Sequence, residues 1–253
     1  MRIVVKVGTG VLTQEHNGQL DGSSIIHLVT ALADLIQQGH SVILVSSGAV
    51  GAGVSTLQLT EYPQTLPLKQ ACASVGQAKL IHTYDNLFRH FNIAVAQLLL
   101  TADDLKHRKT NVEATLRQLG TQGNIIPIIN ENDTVSVQEL KFGDNDILSM
   151  HMAKLIKADK LFILTSVDGL YADPNTKTEI IKTVSDVQSV MGSASDSKGK
   201  FAMGGMGSKL QAIQQAVEAG IDTYMIHGRK PERIADWLGN NQNAIGTHFI
   251  AKA

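Results

Sequence analysis

Ser41-Val42-Ile43-Leu44-Val45-Ser46-Ser47-Gly48-Ala49-Val50-Gly51-Ala52-Gly53 is the stretch that decides the fold. A strand with one wet face alternates apolar and polar residues, whereas Val42 to Val45 are apolar without a break. Such a run reads as a strand covered on both faces, the situation of a parallel sheet lying between layers of helices. The small residues that follow let the chain turn at once into a helix. They leave backbone amides free at that helix start and let a ligand come close. The same glycines would equally serve a tight, closely packed strand-to-helix turn.

Working outward, the rhythm repeats. Ile3–Val7 reads as a strand, and Ser23–Gln38 as a helix with apolar positions at helical spacing, stopped by Gly39. Downstream come a helical Leu68–Phe91, the strand Ile93–Leu99, a helical Arg108–Leu119 and the strand Ile125–Ile129. The second half adds helix Asp146–Lys157, strand Lys160–Thr165, helix Ser208–Ala219 and strand Asp222–Ile226. Strand and helix in alternation predict an α/β protein, a three-layer αβα sandwich with a mostly parallel central sheet. Ligands of such sheets bind beyond the carboxyl ends of the strands, so chemistry is sought in the loops after them.

Bulk properties narrow the function. The 253 residues carry a net charge of -1, which gives no surplus of cations for a general nucleic-acid binder. The one cysteine, Cys72, lies in the apolar-rich Gln-Ala-Cys-Ala-Ser-Val and has no visible partner to make a thiolate, so a packing role in a reducing compartment is expected. The amino terminus enters Arg-Ile-Val-Val-Lys-Val directly, and no apolar run long enough to span a bilayer occurs. A cytoplasmic protein without membrane or nucleic-acid partners is the expectation.

Six segments carry candidate chemistry. Lys6 precedes Gly8-Thr-Gly10 at the end of the first strand, an anion site in outline or an ordinary turn beside a solvated lysine. Ser46-Ser-Gly48 follows the second strand in the same manner. Ile128-Ile-Asn130-Glu-Asn-Asp133 ends a strand in a polar cluster, and Phe142-Gly-Asp144-Asn-Asp146 opens a helix. These carboxylates and carboxamides can bind an amino group or organise lysines; alternatively Asp144 or Asn145 caps the helix. Thr165-Ser-Val-Asp168-Gly-Leu-Tyr-Ala-Asp173-Pro174 and Met203-Gly-Gly-Met-Gly-Ser-Lys209 would form two walls of a nucleotide pocket. The Ser193–Lys200 composition suggests a loop that closes over a ligand. Neither a P-loop nor a dinucleotide fingerprint fits. Lys209 is followed by Leu210 where a P-loop has Ser or Thr, and Thr13 stands where the third glycine should fall. The nine histidines are scattered and show no metal-ligand spacing.

Taken in order, these motifs resemble the amino-acid kinase family, over essentially the whole chain and closest to its glutamate-phosphorylating members. The carriers are Val-Val-Lys6-Val-Gly-Thr-Gly, Ser46-Ser-Gly-Ala, Asn130-Glu-Asn-Asp133, Gly143-Asp-Asn-Asp146, Asp168-Gly-Leu-Tyr-Ala-Asp-Pro174 and Gly204-Gly-Met-Gly-Ser-Lys209. The resemblance implies one kinase domain over 1–253, with a glutamate-binding lobe (1–157) and a nucleotide-binding lobe (158–253). It implies a phosphotransferase that phosphorylates the γ-carboxylate of L-glutamate with ATP in proline biosynthesis. Lys6 and Lys209 would neutralise the transferring phosphoryl group, and Asp146 would hold both lysines. Ser47, Asp133 and Asn145 would contact glutamate, with Asp133 facing the ammonium. Lys6, Thr165, Ser166, Met203, Gly204, Gly205, Met206, Gly207, Ser208 and Lys209 would contact ATP. Mg²⁺ would bridge phosphates through solvent and ATP, without side-chain ligands. A homodimer or homotetramer, and proline as a feedback inhibitor, are further expectations of the resemblance.

Two departures stand out. Ser166 occupies a position where some relatives have Asp, and with the sequence running to Ala253 a kinase domain without the C-terminal PUA domain that many bacterial relatives append is the expectation. Rival readings are a kinase of acetylglutamate, aspartate, carbamate or a nucleotide on the same fold, and a non-catalytic amino-acid or nucleotide sensor. The sensor has no use for a charge clamp on a moving phosphoryl group.

Overall fold

Strand and helix do alternate through the computed structural model, which describes residues 1–14, 19–136, 145–173, 175–191 and 205–252. β1 (Arg2–Val7) leads through a single helical turn, α1 (Thr9–Leu12), to α2 (Gly22–Gln37). β2 (Ser41–Ser46) is followed by α3 (Ala49–Thr56) and α4 (Leu66–Arg89), and β3 (Ala94–Leu100) by α5 (Ala102–His107) and α6 (Lys109–Gly120). β4 (Ile125–Glu131) precedes α7 (Asn145–Leu155) and β5 (Lys160–Thr165). The rest comprises β6 (Thr183–Val184), α8 (Gln188–Met191), α9 (Met206–Val217), β7 (Asp222–His227), α10 (Arg233–Leu238) and β8 (Thr247–Phe249).

The strands form one sheet in the order β3-β4-β2-β1-β5-β7-β8-β6. All pairings are parallel except β7 with β8. β1 pairs with β2 on one side (Val7 opposite Ser46) and with β5 on the other (Val7 opposite Leu164). The chain therefore reverses its direction of winding at β1. The crevice at such a switch point, beyond the carboxyl ends of β1, β2 and β5, is where an open α/β sheet receives a ligand.

Each face of the sheet has its own core, and strand parity decides which residue enters which. Ile3, Val5 and Val7 pack with Leu28, Leu32, Leu80, Tyr84 and Phe88 under α2 and α4. Val4 joins Leu148, Met152, Leu210 and Ile213 under α7 and α9. Lys6, two residues beyond Val4, belongs by the two-residue period to the α7/α9 face. It is only 2% exposed.

β2 and β5 span the residues expected from the sequence; the helices shift by a residue or two. α4 begins at Leu66, with Thr65 as N-cap and Pro67 in the first turn, where proline loses no helical hydrogen bond. α7 ends at Leu155, two residues early, and Lys157 adopts φ 50 just beyond it. The elements not read as helices or strands were short or glycine-rich. α3 carries Gly51 and Gly53, α10 has six residues and β8 three. Gly53 and Gly76 are there because α3 and α4 cross in near backbone contact. A Cβ on Gly53 would lie 1.9 Å from the Cys72 carbonyl oxygen, and one on Gly76 1.8 Å from that of Ala49. Cys72 is a buried free thiol at this crossing. Among the described residues no helix is long and apolar enough to cross a membrane.

Candidate functional site

A carboxylate held by two ammonium groups lies at the switch point. Asp146, in the first turn of α7, is fully buried. Its Oδ1 is 2.6 Å from Lys6 Nζ, and its Oδ2 is 3.1 Å from Lys209 Nζ. The lysine side chains are 3% and 15% exposed, so two of the three charges are removed from water and Lys209 nearly so. Buried charge is tolerated where it is paired, and the start of a helix favours an anion such as Asp146. Two cations against one anion still leave the cluster a net positive charge, which an anionic ligand would neutralise. Lys209 reaches it because α9 starts at Met206, two residues earlier than the sequence pattern suggests, behind an extended Gly205. Lys6, Asp146 and Lys209 are thus brought together from β1, α7 and α9.

Beside this cluster the end of β2 is tied to α7 by carboxamides. Asn145 Nδ2 donates towards three oxygens: Ser46 O at 3.0 Å, Ser47 Oγ at 2.9 Å and Asn130 Oδ1 at 2.9 Å. Asn145 is the first residue of α7 and does not cap it: Oδ1, the atom a cap would use, accepts no hydrogen bond among the described residues. Asp144, the alternative cap, lies outside the described residues. Asn130, at the end of β4, accepts also from the Glu131 amide and donates to Gln77 Oε1 on α4, each at 2.9 Å. The Ser46 hydroxyl lies 3.0 Å from the phenol of the fully buried Tyr84. Gly48 completes the turn with φ 100, a conformation that favours glycine.

Asp133 lies in the turn after β4, whose backbone is pinned by Ser136 N to Asn132 O (3.0 Å) and by Ser136 Oγ to Glu131 Oε1 (2.8 Å). Burial pushes the nearby Tyr62 phenol up to about 12, with the charges of Asp133 and Cys72 adding to the effect. Ser47, Asn145 and the Asp133 turn accordingly share the edge formed by the ends of β2 and β4.

The other side of the crevice is built from the end of β5 and the start of α9. Thr165 is buried, and its hydroxyl is engaged within its own loop, donating to Val167 O (2.9 Å) and accepting from Val167 N (3.1 Å). Its side chain shapes the loop, leaving exposed Ser166 the freer hydroxyl for a ligand. Asp168 is ion-paired with buried Arg233 of α10, which holds its carboxyl below the usual range mainly through the hydrogen bond. At the helix start, a Cβ on Gly207 would meet no described atom within 4 Å, and Gly10, near Lys6, is equally open. Gly205, Met206, Gly207 and Ser208 flank Lys209 in this part; Met203 and Gly204 lie outside the described residues. So do the 193–200 segment expected to close over a ligand, residues 142–144 and Pro174.

Sequence reading passed over Gln77, Tyr84 and Arg233, and took Asn130 only as one member of a polar cluster. A lone polar residue on a helix carries no motif. The available signal was Gln77 next to Gly76, a polar group where the helix packs too closely for a side chain.

Comparison with known proteins agrees with this geometry. A model described as amino acid kinase family matches residues 1–227. The chain is 47% identical over 257 residues to the glutamate 5-kinase of Clostridium acetobutylicum, covering 99% of this chain and 95% of that one. It is 47% identical over 258 residues to the glutamate 5-kinase of a Nostoc species, covering 98% of this chain and 67% of the relative. Among solved structures, isopentenyl phosphate kinase from T. acidophilum superposes with a TM-score of 0.70 at 16% identity, covering 98% of this chain and 100% of that one. Giardia carbamate kinase gives 0.65 at 17% identity, covering 99% of each. At such identities the likeness is one of fold.

Proposed function

This chain belongs to the amino acid kinase family, and from that membership we propose that it transfers the γ-phosphoryl group of ATP to the γ-carboxylate of L-glutamate. The products are ADP and L-glutamyl 5-phosphate, which makes the reaction an entry into proline biosynthesis. The observation that carries the reading is the meeting of Lys6 and Lys209 on opposite oxygens of the buried Asp146.

The nucleophile is a carboxylate and needs no general base. A carboxylate oxygen of glutamate forms a bond to the γ-phosphorus while the bond from that phosphorus to the β,γ-bridging oxygen breaks, and the electron pair leaves with ADP. Charge accumulates on the transferring group and the leaving oxygen, so catalysis consists of positioning and electrostatic stabilisation. Lys6 and Lys209 supply that stabilisation, and Asp146 holds both ammonium groups in place. Ser47, Asn145 and Asp133 bind glutamate, with Asp133 directed to its ammonium. Ser166, Gly205 to Lys209 and the Thr165 loop bind the nucleotide, as do Met203 and Gly204 in the family pattern. The division into a glutamate lobe over 1–157 and a nucleotide lobe over 158–253 is part of the same proposal.

Mg²⁺ would enter with ATP as the MgATP substrate, held by phosphates and water. A cytoplasmic location, assembly as a dimer or tetramer and inhibition by proline belong to the same reading and rest on family resemblance.

The test is ADP release by the purified chain with MgATP and glutamate, N-acetylglutamate, aspartate or carbamate as acceptor, each with and without proline. Turnover with glutamate is the expected result. Turnover with acetylglutamate but not glutamate would falsify the assignment.

A further inference from the structure

Gln77 is a buried polar residue on α4 that lies outside the motifs quoted above. It lies next to Gly76, whose missing side chain allows α3 to approach to backbone contact. The crossing has no slack, so α4 offers Gln77 Oε1 as an acceptor at a fixed depth. That oxygen takes the hydrogen bond from Asn130 Nδ2 at 2.9 Å.

The consequence passes along a chain of carboxamides. With Nδ2 turned to Gln77, Asn130 presents Oδ1 to Asn145 Nδ2 at 2.9 Å. A flip of Asn130 would set oxygen against Gln77 Oε1 and nitrogen against both the Glu131 amide and Asn145 Nδ2, losing all three bonds. Asn145 Nδ2 also faces Ser46 O and Ser47 Oγ, so its Oδ1 is turned away from these partners. That Oδ1 is buried and makes no hydrogen bond among the described residues. A buried carbonyl oxygen without a donor is costly to leave so, and a primary ammonium is the kind of group that satisfies it.

We propose that Gln77 is a positioning residue for the amino-acid substrate: through Asn130 it fixes the orientation of the Asn145 carboxamide, whose free oxygen accepts from the substrate ammonium. The inference rests on the proposed glutamate site. It adds a residue on a helix that does not itself reach the substrate.

Gln77→Met keeps length and volume and removes the acceptor. With the purified full chain, its KM for glutamate rises about tenfold while its KM for ATP stays within about twofold. Gln77→Glu, which keeps an oxygen acceptor, recovers most of the loss. An unchanged glutamate KM, a rise shared equally by ATP, or a fall in kcat alone would each overturn the proposal, the last two being what a packing role gives. If the unmodified chain does not turn over glutamate, it is the functional reading that fails, and the relay is then judged in the unliganded protein. With ¹⁵N-asparagine labelling, slow solvent exchange of the Asn130 side-chain amide protons is expected. Fast exchange refutes the relay, even if Gln77→Met does not fold.

Discussion

Lys6 Nζ lies 2.6 Å from Asp146 Oδ1, and neither side chain is more than 3% exposed. A strand residue and a helix residue distant in sequence are joined out of water. Removing the carboxylate takes from Lys6 and Lys209 the anion they share. Asp146→Asn would leave the two ammonium groups facing each other across a neutral carboxamide. It is expected to cost about 3–5 kcal/mol of stability. The urea midpoint checks this, and turnover should fall with it; a variant as stable and active as the parent contradicts the arrangement.

Lys209 is less buried, at 15% exposure, and sits at a helix start. Its removal should spare the fold and strike the chemistry. For Lys209→Ala, kcat is expected to fall by about a hundredfold or more, the scale for loss of one preorganised charge donor. The thermal midpoint should move little. Near-normal turnover would remove Lys209 from the clamp.

Asp133 provides a contrast between the two substrates. Asp133→Ala should raise the KM for glutamate well above any change in the KM for ATP. Steady-state kinetics with each substrate varied in turn decides the matter, and the opposite pattern assigns Asp133 to the nucleotide side.

Two glycines predict opposite outcomes for the same chemical change. Gly76→Ala drives a methyl group to 1.8 Å from the Ala49 carbonyl oxygen, so α3 and α4 must separate. A loss of about 3 kcal/mol or more is expected, at or beyond the upper end of overpacking costs. Gly207→Ala meets no described atom and lies in the first turn of α9. Stability there should hold or rise by up to about 1 kcal/mol from helix propensity. If the space over Gly207 receives phosphate, the KM for ATP rises all the same.

The Asp168–Arg233 pair carries a pH signature. Arg233 lowers the folded pKa of Asp168 below the ordinary carboxylate value, mainly through its hydrogen bond. A carboxyl depressed by folding contributes stability at pH values above its unfolded pKa, and loses it as pH falls through the folded one. The penalty of Asp168→Asn should therefore be constant between about pH 5 and 7 and shrink below about pH 4. Urea midpoints across that range give the answer; a penalty growing towards acid pH would mean the ion pair is not the source.

Much of the framework could be read from residues because the strands are buried on both faces. Val42–Val45 and Leu161–Leu164 bear no polar interruption, and their limits coincide with Ser and Thr at the strand ends. Lys6 and Lys209 were legible through the glycines beside them. What escaped detection depends on contacts between distant segments. α3 looked like a turn because Gly51 and Gly53 have poor helix propensity, and only the crossing with α4 makes glycine an advantage there. Gln77 and Asn130 are far apart in sequence, and no local rule predicts which carboxamide faces which. That the Thr165 hydroxyl closes a hydrogen-bonded turn with Val167 is likewise a matter of how the loop folds.

The alternation along β1 does more than assemble two cores. Val5 and Val7 are buried against α2 and α4, while Lys6 between them faces the opposite layer. Sliding β1 by one residue would push the ammonium into hydrocarbon and turn a valine towards Asp146. The misthreaded chain would then carry a displaced cation, and Asp146 would lose the nearer of its two ammonium partners. The valines flanking Lys6 thus act as a ratchet on the charge proposed for catalysis, so that the same two side chains would guard both the fidelity of folding and the placement of the ammonium group.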